Sequence, residues 1–196
     1  MMNVELSPRA TEIAEHTKLL IAAGGYNGFS YADISERVHI GKASIHHHFP
    51  SKTDLVHTVV LRHREQAQES LAALDQHITD ASARLKAYTD YWAGCIRDGE
   101  LPICICAMLG AELPMLPQEV VNEVTRYFED LTAWLQAVLE TGVAQGKFHL
   151  RDSAFVEAQT FMSIVHGAML TARALKSPEA FEAIARTAIN QLSVSK

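Results

Sequence analysis

Three successive histidines, His46, His47 and His48, form a set of potential metal ligands, since imidazole is a common ligand. Consecutive residues of a helix point about 100° apart, so three neighbouring rings cannot converge on one ion. Metal binding would need further partners such as His39 or Glu36. We therefore expect no metal site, and we expect His46 and His47 to face outward while His48 is half-buried.

Two short helical patterns surround these histidines, Tyr31–Val38 and Lys42–Phe49, and a three-residue turn containing Gly41 joins them. Ser30 is a suitable N-cap for the first helix. Ile45 and Phe49 are four residues apart and are predicted to face inward. The outward side chains are then Lys42, Ala43, Ser44, His46 and His47. Two helices with such a joint are typical of a helix-turn-helix, whose second helix can enter a DNA major groove.

The segment GGYNGFSYADIS, followed later by GKASIHHHFPSKTDL, resembles the DNA-binding segment of the TetR family of transcriptional repressors. The positions that correspond to the family pattern are Gly25, Tyr26, Ser30, His46, His47, His48, Phe49, Ser51 and Lys52. Three positions depart from the family pattern. His39 replaces a usual glycine, Gly41 replaces a serine or threonine cap, and His46 replaces a usual tyrosine.

The resemblance implies a homodimeric repressor that binds a palindromic double-stranded DNA operator and is released by a small-molecule effector. No enzymatic activity and no cofactor are expected. Phosphate contacts are expected from Ser30, Tyr31, Lys42 and Lys52, because small polar and cationic side chains commonly bind the DNA backbone. Base edges are expected to meet Ala43, Ser44 and His47, with His46 also facing the DNA.

Cys104 and Cys106 raise a separate chemical question, because both follow Pro102. If Pro102 is the first helical residue, Cys104 lies in the first turn, where unpaired amides favour a thiolate. One alternative is therefore a repressor triggered by oxidants or electrophiles at Cys104; another is that both cysteines are core residues. A remote alternative is a cysteine-dependent enzyme, although the sequence shows no nucleophile motif. A disulfide between the two is not expected, since they would point about 200° apart on a helix.

Aromatic residues concentrate on the fifth predicted helix, Ala81–Asp98, and recur on later helices. Such stripes are commonly core, but the middle helices of the TetR family usually enclose the effector. The resemblance therefore predicts a ligand site formed by Tyr88, Tyr91, Trp92, Cys95, Cys104, Met108, Trp134, Phe161 and His166. The scarcity of charge on these faces predicts a largely apolar or aromatic effector.

The last two predicted helices, Ser153–Leu175 and Pro178–Leu192, carry apolar stripes wider than one partner helix would cover. The family pairs these helices in its dimer. The predicted dimerisation residues are Phe155, Met162, Val165, Met169, Phe181, Ile184 and Ala188.

The whole chain has 196 residues and a formal charge of −6, with apolar residues making up 48% of the chain. Residues 1–52 hold five basic and five acidic side chains, so the negative charge lies entirely in the remainder. No strand pattern occurs, and about nine helices are predicted, including one over Leu101–Leu113. We expect an all-α fold with a helix-turn-helix domain at 1–52 and a helical ligand-binding and dimerisation domain at 53–196. No apolar run is long enough to span a membrane, so a cytoplasmic protein is expected.

Overall fold

The computed structural model describes residues 6–99 and 101–194. Within these ranges the predicted all-α fold is confirmed: the chain forms nine α-helices and one short 3₁₀ helix. They are α1 (Pro8–Gly24), α2 (Tyr31–Val38), α3 (Lys42–His48), α4 (Lys52–His77), α5 (Ala81–Asp98), α6 (Ile105–Gly110), η1 (Leu113–Met115), α7 (Gln118–Ala144), α8 (Ala154–Leu175) and α9 (Pro178–Leu192). None of these helices combines the length and apolarity that crossing a bilayer requires.

Short polar side chains begin several of the helices. The Ser7 hydroxyl accepts a hydrogen bond from the Ala10 amide at 3.2 Å, as expected of an N-cap. Ser30 and Asp33 form a complete capping box at the start of α2. The Asp80 carboxylate accepts from the Ala83 amide at 2.9 Å and begins α5. Local hydrogen bonds therefore account for where these three helices start.

The described residues divide into two compact units. The first consists of the chain up to Arg64 together with Ile105–Thr125. In it α1 packs against α2, α3 and α6. Its core includes Ile13, Ile34 and Ile45, each with 0% of its surface exposed. The packing of α1 on α2 and α3 therefore completes a three-helix unit.

The second unit consists of Glu65–Cys104 together with the chain from Arg126 onward. Here α9 packs against both α5 and α8. An antiparallel bridge joins Phe148 to Ser193 and ties the turn after α7 to the end of α9. The ring of Phe148 lies against Gly142, where a Cβ atom would collide with it. That glycine permits the close contact between α7 and the following turn.

The helix predicted over Leu101–Leu113 is shorter than expected. Pro102 lies in a bend, α6 begins only at Ile105, and η1 forms separately after it. The four consecutive residues from Ile103 to Cys106 are all buried. A helix that buries one face cannot bury four successive residues, so packing of this segment from several sides overrides the helix-start signal of the proline.

Candidate nucleic-acid interface and effector region

The exposed surface of α3 is the first candidate site. Ile45 is fully buried, and the C-cap residue Phe49 is only 3% exposed. The side chains of Lys42, Ala43, Ser44, His46 and His47 are exposed, and His48 is half-buried. The predicted orientation of α3 is therefore confirmed. Its outer face consists of small and hydrogen-bonding side chains, which suit close approach to base edges.

The turn between α2 and α3 is held by local contacts. His39 adopts the left-handed conformation, with φ of 55°. Histidine is among the non-glycine residues that enter this region more readily than most, which accounts for its tolerance where a glycine is usual. The Ser35 hydroxyl donates to the Ile40 carbonyl at 2.5 Å. Gly41, the N-cap of α3, provides no side-chain cap, so the amides at the start of α3 stay open to an external acceptor.

Tyr31 and His46 form a tilted ring pair with centroids 4.6 Å apart. The Tyr31 hydroxyl donates to the Phe49 carbonyl at 2.9 Å. Burial, followed by the nearby charges of Asp54 and Tyr26, raises the pKa of Tyr31 to about 12, so the hydroxyl keeps its proton. Tyr31 therefore already uses its one proton within the protein, and a phosphate could meet its oxygen only as a competitor for that proton.

The ring of His46 is oriented by a hydrogen bond of its own. Its Nδ1 atom lies 3.2 Å from the Pro50 carbonyl oxygen. A carbonyl oxygen only accepts, so this contact requires the proton on Nδ1. In the neutral ring Nε2 is then the acceptor, and His46 presents it on the exposed side of α3.

Lys42 and Lys52, the two predicted phosphate-binding lysines, occupy different environments. Lys42 is exposed at the start of α3. The ammonium group of Lys52 donates to the Phe29 carbonyl and lies 4.1 Å from the centroid of the Phe29 ring. Burial lowers the pKa of Lys52, while the Asp33 and Glu112 carboxylates oppose that shift. Lys52 therefore stabilises the protein internally, a role that sequence reasoning did not assign to it.

Ser30 also has an internal role. Its hydroxyl donates to the Asp33 carboxylate at 2.7 Å and accepts from the Ala32 amide at 3.2 Å. The side chain is exposed, so a phosphate could approach the same oxygen at the start of α2. The hydrogen bonds from Ser30 hold the pKa of Asp33 below its ordinary value of 3.8.

The candidate effector region lies in the interior of the second unit. Trp92 and Phe161 are buried there, and Trp134 is half-buried. The rings of Tyr88 and Trp134 are 5.8 Å apart, which places α5 and α7 in contact through aromatic side chains. His166 on α8 packs its ring edgewise against Phe128 at 5.4 Å. Three helices, α5, α7 and α8, therefore bring predicted ligand-site residues into the interior.

Two polar atoms in this interior have no hydrogen-bond partner among the described residues. They are the hydroxyl of Tyr88 and Nε2 of His166, in residues that are 5% and 9% exposed. Burial, and secondarily the nearby Cys104, raises the pKa of Tyr88; the Trp92 side chain lies near enough to oppose that shift but does not meet hydrogen-bond geometry. Leaving a buried polar group unpaired costs about 1–3 kcal/mol of stability, so its presence in a folded protein needs an explanation. A bound molecule with its own polar group would satisfy them.

Cys104 does not lie in the first turn of a helix, contrary to our expectation, because α6 begins one residue later. Its side chain is fully buried. The thiol contacts the hydroxyl of Tyr127, at 3.4 Å from sulfur to oxygen. Sequence reasoning missed Tyr127; its only signal was its place four residues before the buried Leu131 on α7.

The remaining predicted ligand-site residues are less enclosed. Tyr91 is 57% exposed and packs its ring against Trp92 at 5.3 Å. Cys95 is half-buried on α5, as is Met108 on α6 in the first unit. Tyr88 is four residues from Trp92 and shares its face, whereas Tyr91 is one residue away and points about 100° from it, so the inclusion of Tyr91 in the predicted site went beyond the periodicity of α5.

The predicted dimerisation residues divide between two environments. Val165, Met169, Phe181 and Ala188 are buried within the single chain, where α8 and α9 pack together. Met162 and Ile184 are half-buried, and Phe155 is 48% exposed. The large apolar side chains that α8 leaves exposed are Phe155, Val156, Leu170 and Leu175. The stripe that sequence reasoning selected is therefore mostly the internal face of α8 and α9.

A groove of about 240 Å³ lies beside this exposed face of α8, between its beginning and the end of α9. Val156, Thr160 and Ile164 line it from α8, and Ala188 and Gln191 line it from α9. It was not predicted, since its walls combine residues far apart in the sequence.

Comparison with known proteins agrees with these features. Residues 13–59 match the family described as "Bacterial regulatory proteins, tetR family". Residues 81–188 match the domain described as "Tetracyclin repressor-like, C-terminal domain". No curated protein matches the chain.

Solved structures resemble the chain over nearly its full length. A transcriptional regulator of the TetR family from Agrobacterium tumefaciens is 48% identical, with a TM-score of 0.93 over 95% of this chain and 98% of that one. A TetR transcriptional regulator from Legionella pneumophila is 27% identical, with a TM-score of 0.85 over 98% of this chain and 100% of that one. The reduced form of E. coli NemR is 19% identical, with a TM-score of 0.81 over 95% and 98%, and shares the fold.

Proposed function

Because the chain belongs to the TetR family of DNA-binding transcriptional regulators, we propose that it is a repressor that leaves a palindromic operator when a small effector binds. The observation that carries the DNA-binding part is the orientation of α3. Ile45 is buried, while Ala43, Ser44 and His47 point outward from a short helix whose first amides are uncapped. This is the arrangement that a recognition helix needs in a major groove.

The proposed contacts follow from the freedom of each side chain. Lys42 is exposed and suits a phosphate, and Ser30 suits another at the start of α2. Ala43, Ser44 and His47 suit base edges, with the Nε2 atom of His46 available as an acceptor. Tyr31 and Lys52 already have partners within the protein, where they hold α2, α3 and the start of α4 together. Any contact that they make with the DNA phosphates would be additional to that role.

A homodimer would place two copies of α3 on half-sites about one helical turn apart, or a multiple of that spacing. The exposed apolar side chains of α8 support such a pairing, because water-exposed Phe155, Leu170 and Leu175 would be buried by a second chain. Gly167 is exposed on the same helix and would permit close approach of the partner. Met162 and Ile184 would contribute at the edge.

The effector that this interior favours is largely aromatic or apolar, with at least one hydrogen-bonding group. The aromatic side chains Trp92, Trp134 and Phe161 favour stacking with a flat or hydrophobic molecule. The unpartnered atoms of Tyr88 and His166 favour a polar group on that molecule. The effector would act by binding more tightly to the conformation that has low DNA affinity, which shifts the population away from the operator.

Duplex selection from a random library tests the proposal. The purified protein should enrich a palindromic sequence, and its affinity for that duplex, measured by fluorescence anisotropy, should fall as salt rises. Ala43→Glu should abolish binding, since it places a carboxylate against the DNA from an exposed position and leaves the fold intact. Ala72→Glu, at an exposed alanine on α4, offers a matched control. Absence of any enriched duplex, or binding insensitive to salt, would contradict the proposal.

The alternative trigger is oxidation or alkylation at Cys104. The thiol is fully buried, so the structure bears on the consequence of a modification: an adduct on the sulfur would break the 3.4 Å contact with Tyr127 and so disturb α7. Treatment with peroxide or a quinone, followed by mass spectrometry and the anisotropy assay, separates this trigger from a non-covalent effector. Loss of DNA binding that Cys104→Ser prevents would establish the cysteine as the trigger, whereas an unmodified thiol would exclude it.

A further inference from the structure

The carboxylate of Glu112 lies on the turn between α1 and α2. It accepts a hydrogen bond from the backbone amide of Tyr26, with 2.6 Å between nitrogen and oxygen. The neighbouring Gly25 has a φ of 73°, and a Cβ atom there would collide with the same carboxylate. The turn therefore provides both a donor and the space for this one side chain.

Glu112 is itself held in place by the backbone between α6 and η1. Its amide donates to the Leu109 carbonyl at 2.9 Å, and its carbonyl accepts from the Met115 amide at 2.8 Å. These bonds fix the backbone of Glu112 relative to α6 and η1. Its carboxylate then joins that segment to the turn through the Tyr26 amide.

The residue that Glu112 binds is connected to the other end of the helix-turn-helix. The Tyr26 ring lies 5.0 Å from the ammonium of Lys52, at the start of α4. The Tyr26 hydroxyl is 3.4 Å from the hydroxyl of Thr53. Tyr26 therefore joins the residues that precede α2 to those that follow α3.

We propose that Glu112 is a positioning residue for DNA binding, although it lies more than fifty residues beyond the segment that reads DNA. By fixing the Tyr26 amide, it holds the beginning of α2 and the beginning of α4 at the separation that presents α3. This inference rests on the proposed DNA-binding function. It assigns part of the DNA affinity to the α6–η1 segment, which makes no proposed contact with DNA.

Four variants of the full chain test this role. Glu112→Ala removes the acceptor, Glu112→Asp keeps the charge but shortens the side chain, and Glu112→Gln keeps a neutral acceptor. Glu119→Ala is the control, because it removes an exposed carboxylate from the same unit. Two quantities are measured for each. One is hydrogen exchange of the Tyr26 amide without DNA, and the other is affinity for the selected duplex.

In Glu112→Ala the Tyr26 amide should exchange about tenfold faster, and affinity should fall about tenfold, since a part-buried donor loses its partner. Glu112→Asp should move both quantities in the same direction, and it serves as the test should the alanine variant not fold. Glu112→Gln should restore most of both, because its amide oxygen accepts. Glu119→Ala should match the wild type, which separates the specific contact from a general loss of negative charge.

Wild-type affinity in both Glu112→Ala and Glu112→Asp would overturn the proposal, as would faster exchange of the Tyr26 amide without any loss of affinity. If the wild-type protein binds no duplex at all, the proposed function fails instead. The exchange comparison then still decides whether Glu112 holds the turn, because it needs no DNA.

Discussion

The α2–α3 region and the interior of the second unit use polar side chains in opposite ways. In the first, the polar side chains that support the helix pair are themselves paired: Ser30 with Asp33, Tyr31 with the Phe49 carbonyl, and Lys52 with the Phe29 carbonyl. In the second, the Tyr88 hydroxyl and His166 Nε2 are buried without a partner among the described residues.

This difference separates two kinds of binding surface. A surface that meets DNA must keep its shape in water, so its supporting residues are satisfied internally and only the outer side chains await a partner. An interior that admits a small molecule can keep polar atoms unsatisfied until the molecule arrives, at a cost in stability. Substitutions in the two regions test this contrast.

Ile45→Ala should lower the free energy of unfolding by about 2–5 kcal/mol, because Ile45 is fully buried and anchors the short helix α3. Urea unfolding followed by circular dichroism measures this loss. Ser44→Ala is the matched change on the exposed side of the same helix and should leave stability within about 0.5 kcal/mol while weakening DNA binding. Equal stability losses in both would show that α3 is not oriented as described.

Lys42→Ala and Lys52→Ala should differ although both remove one cation. If the lysine contacts a phosphate, its removal should weaken binding to all duplexes. It should also reduce the salt slope, which is the slope of log affinity against log salt concentration, by about 1. Only Lys52→Ala should also lower stability, by about 1 kcal/mol, because its ammonium binds the Phe29 carbonyl and two aromatic rings. Anisotropy across a salt series and thermal unfolding measure the two quantities. An unchanged salt slope in Lys52→Ala would mean that Lys52 stabilises the protein but does not contact a phosphate.

Tyr31→Phe and Tyr88→Phe each remove one hydroxyl, which is paired in the α2–α3 region and unpaired in the interior of the second unit. Tyr31→Phe should destabilise the protein by about 1 kcal/mol, since the Phe49 carbonyl loses its donor. Tyr88→Phe should leave stability unchanged or raise it by up to about 1 kcal/mol, since it removes an unsatisfied hydroxyl. Paired denaturant titrations decide the signs. A destabilised Tyr88→Phe variant would mean that this hydroxyl is satisfied within the protein.

The smallest effect concerns pH and Asp33. The folded-state pKa of Asp33 lies below its ordinary value of 3.8 because Ser30 donates hydrogen bonds to the carboxylate. Between these two pKa values the unfolded chain therefore binds more protons than the folded protein. The stabilisation is therefore present above the ordinary value and is lost as pH falls through the folded pKa. The stability difference between wild type and Asp33→Ala should shrink on going from about pH 7 to about pH 3. A difference independent of pH would assign the effect to helix propensity instead.

Much of the α2–α3 region was readable from its residues because its determinants are local. Ser30 reaches the first amides of α2, and Asp33 reaches back to Ser30 across three residues. The spacing of Ile45 and Phe49 defines the inner face of α3 without knowledge of its surroundings. Interactions of this range depend on the neighbouring sequence, so a short segment contains all that is needed to predict them.

The effector region was readable only in outline. Most of its residues were correctly placed on helices, although Cys104 precedes α6. Both Tyr88 and Tyr91 were predicted to line the site, but the structure buries Tyr88 and exposes Tyr91. The stripe predicted to form the dimer surface is largely the contact between α8 and α9. A helical pattern shows that a face is apolar, but not whether that face meets a helix of its own chain or a second chain.

By itself the sequence determined the all-α class, the start of α2 and the outward face of α3, because capping and helical periodicity act over one or two turns. Only the tertiary structure decided that α6 begins after Cys104, that Lys52 folds back onto Phe29 and that Glu112 holds the Tyr26 amide. The physical reason is range: the Glu112 contact joins residues 86 positions apart, and no local pattern specifies a hydrogen bond over that distance.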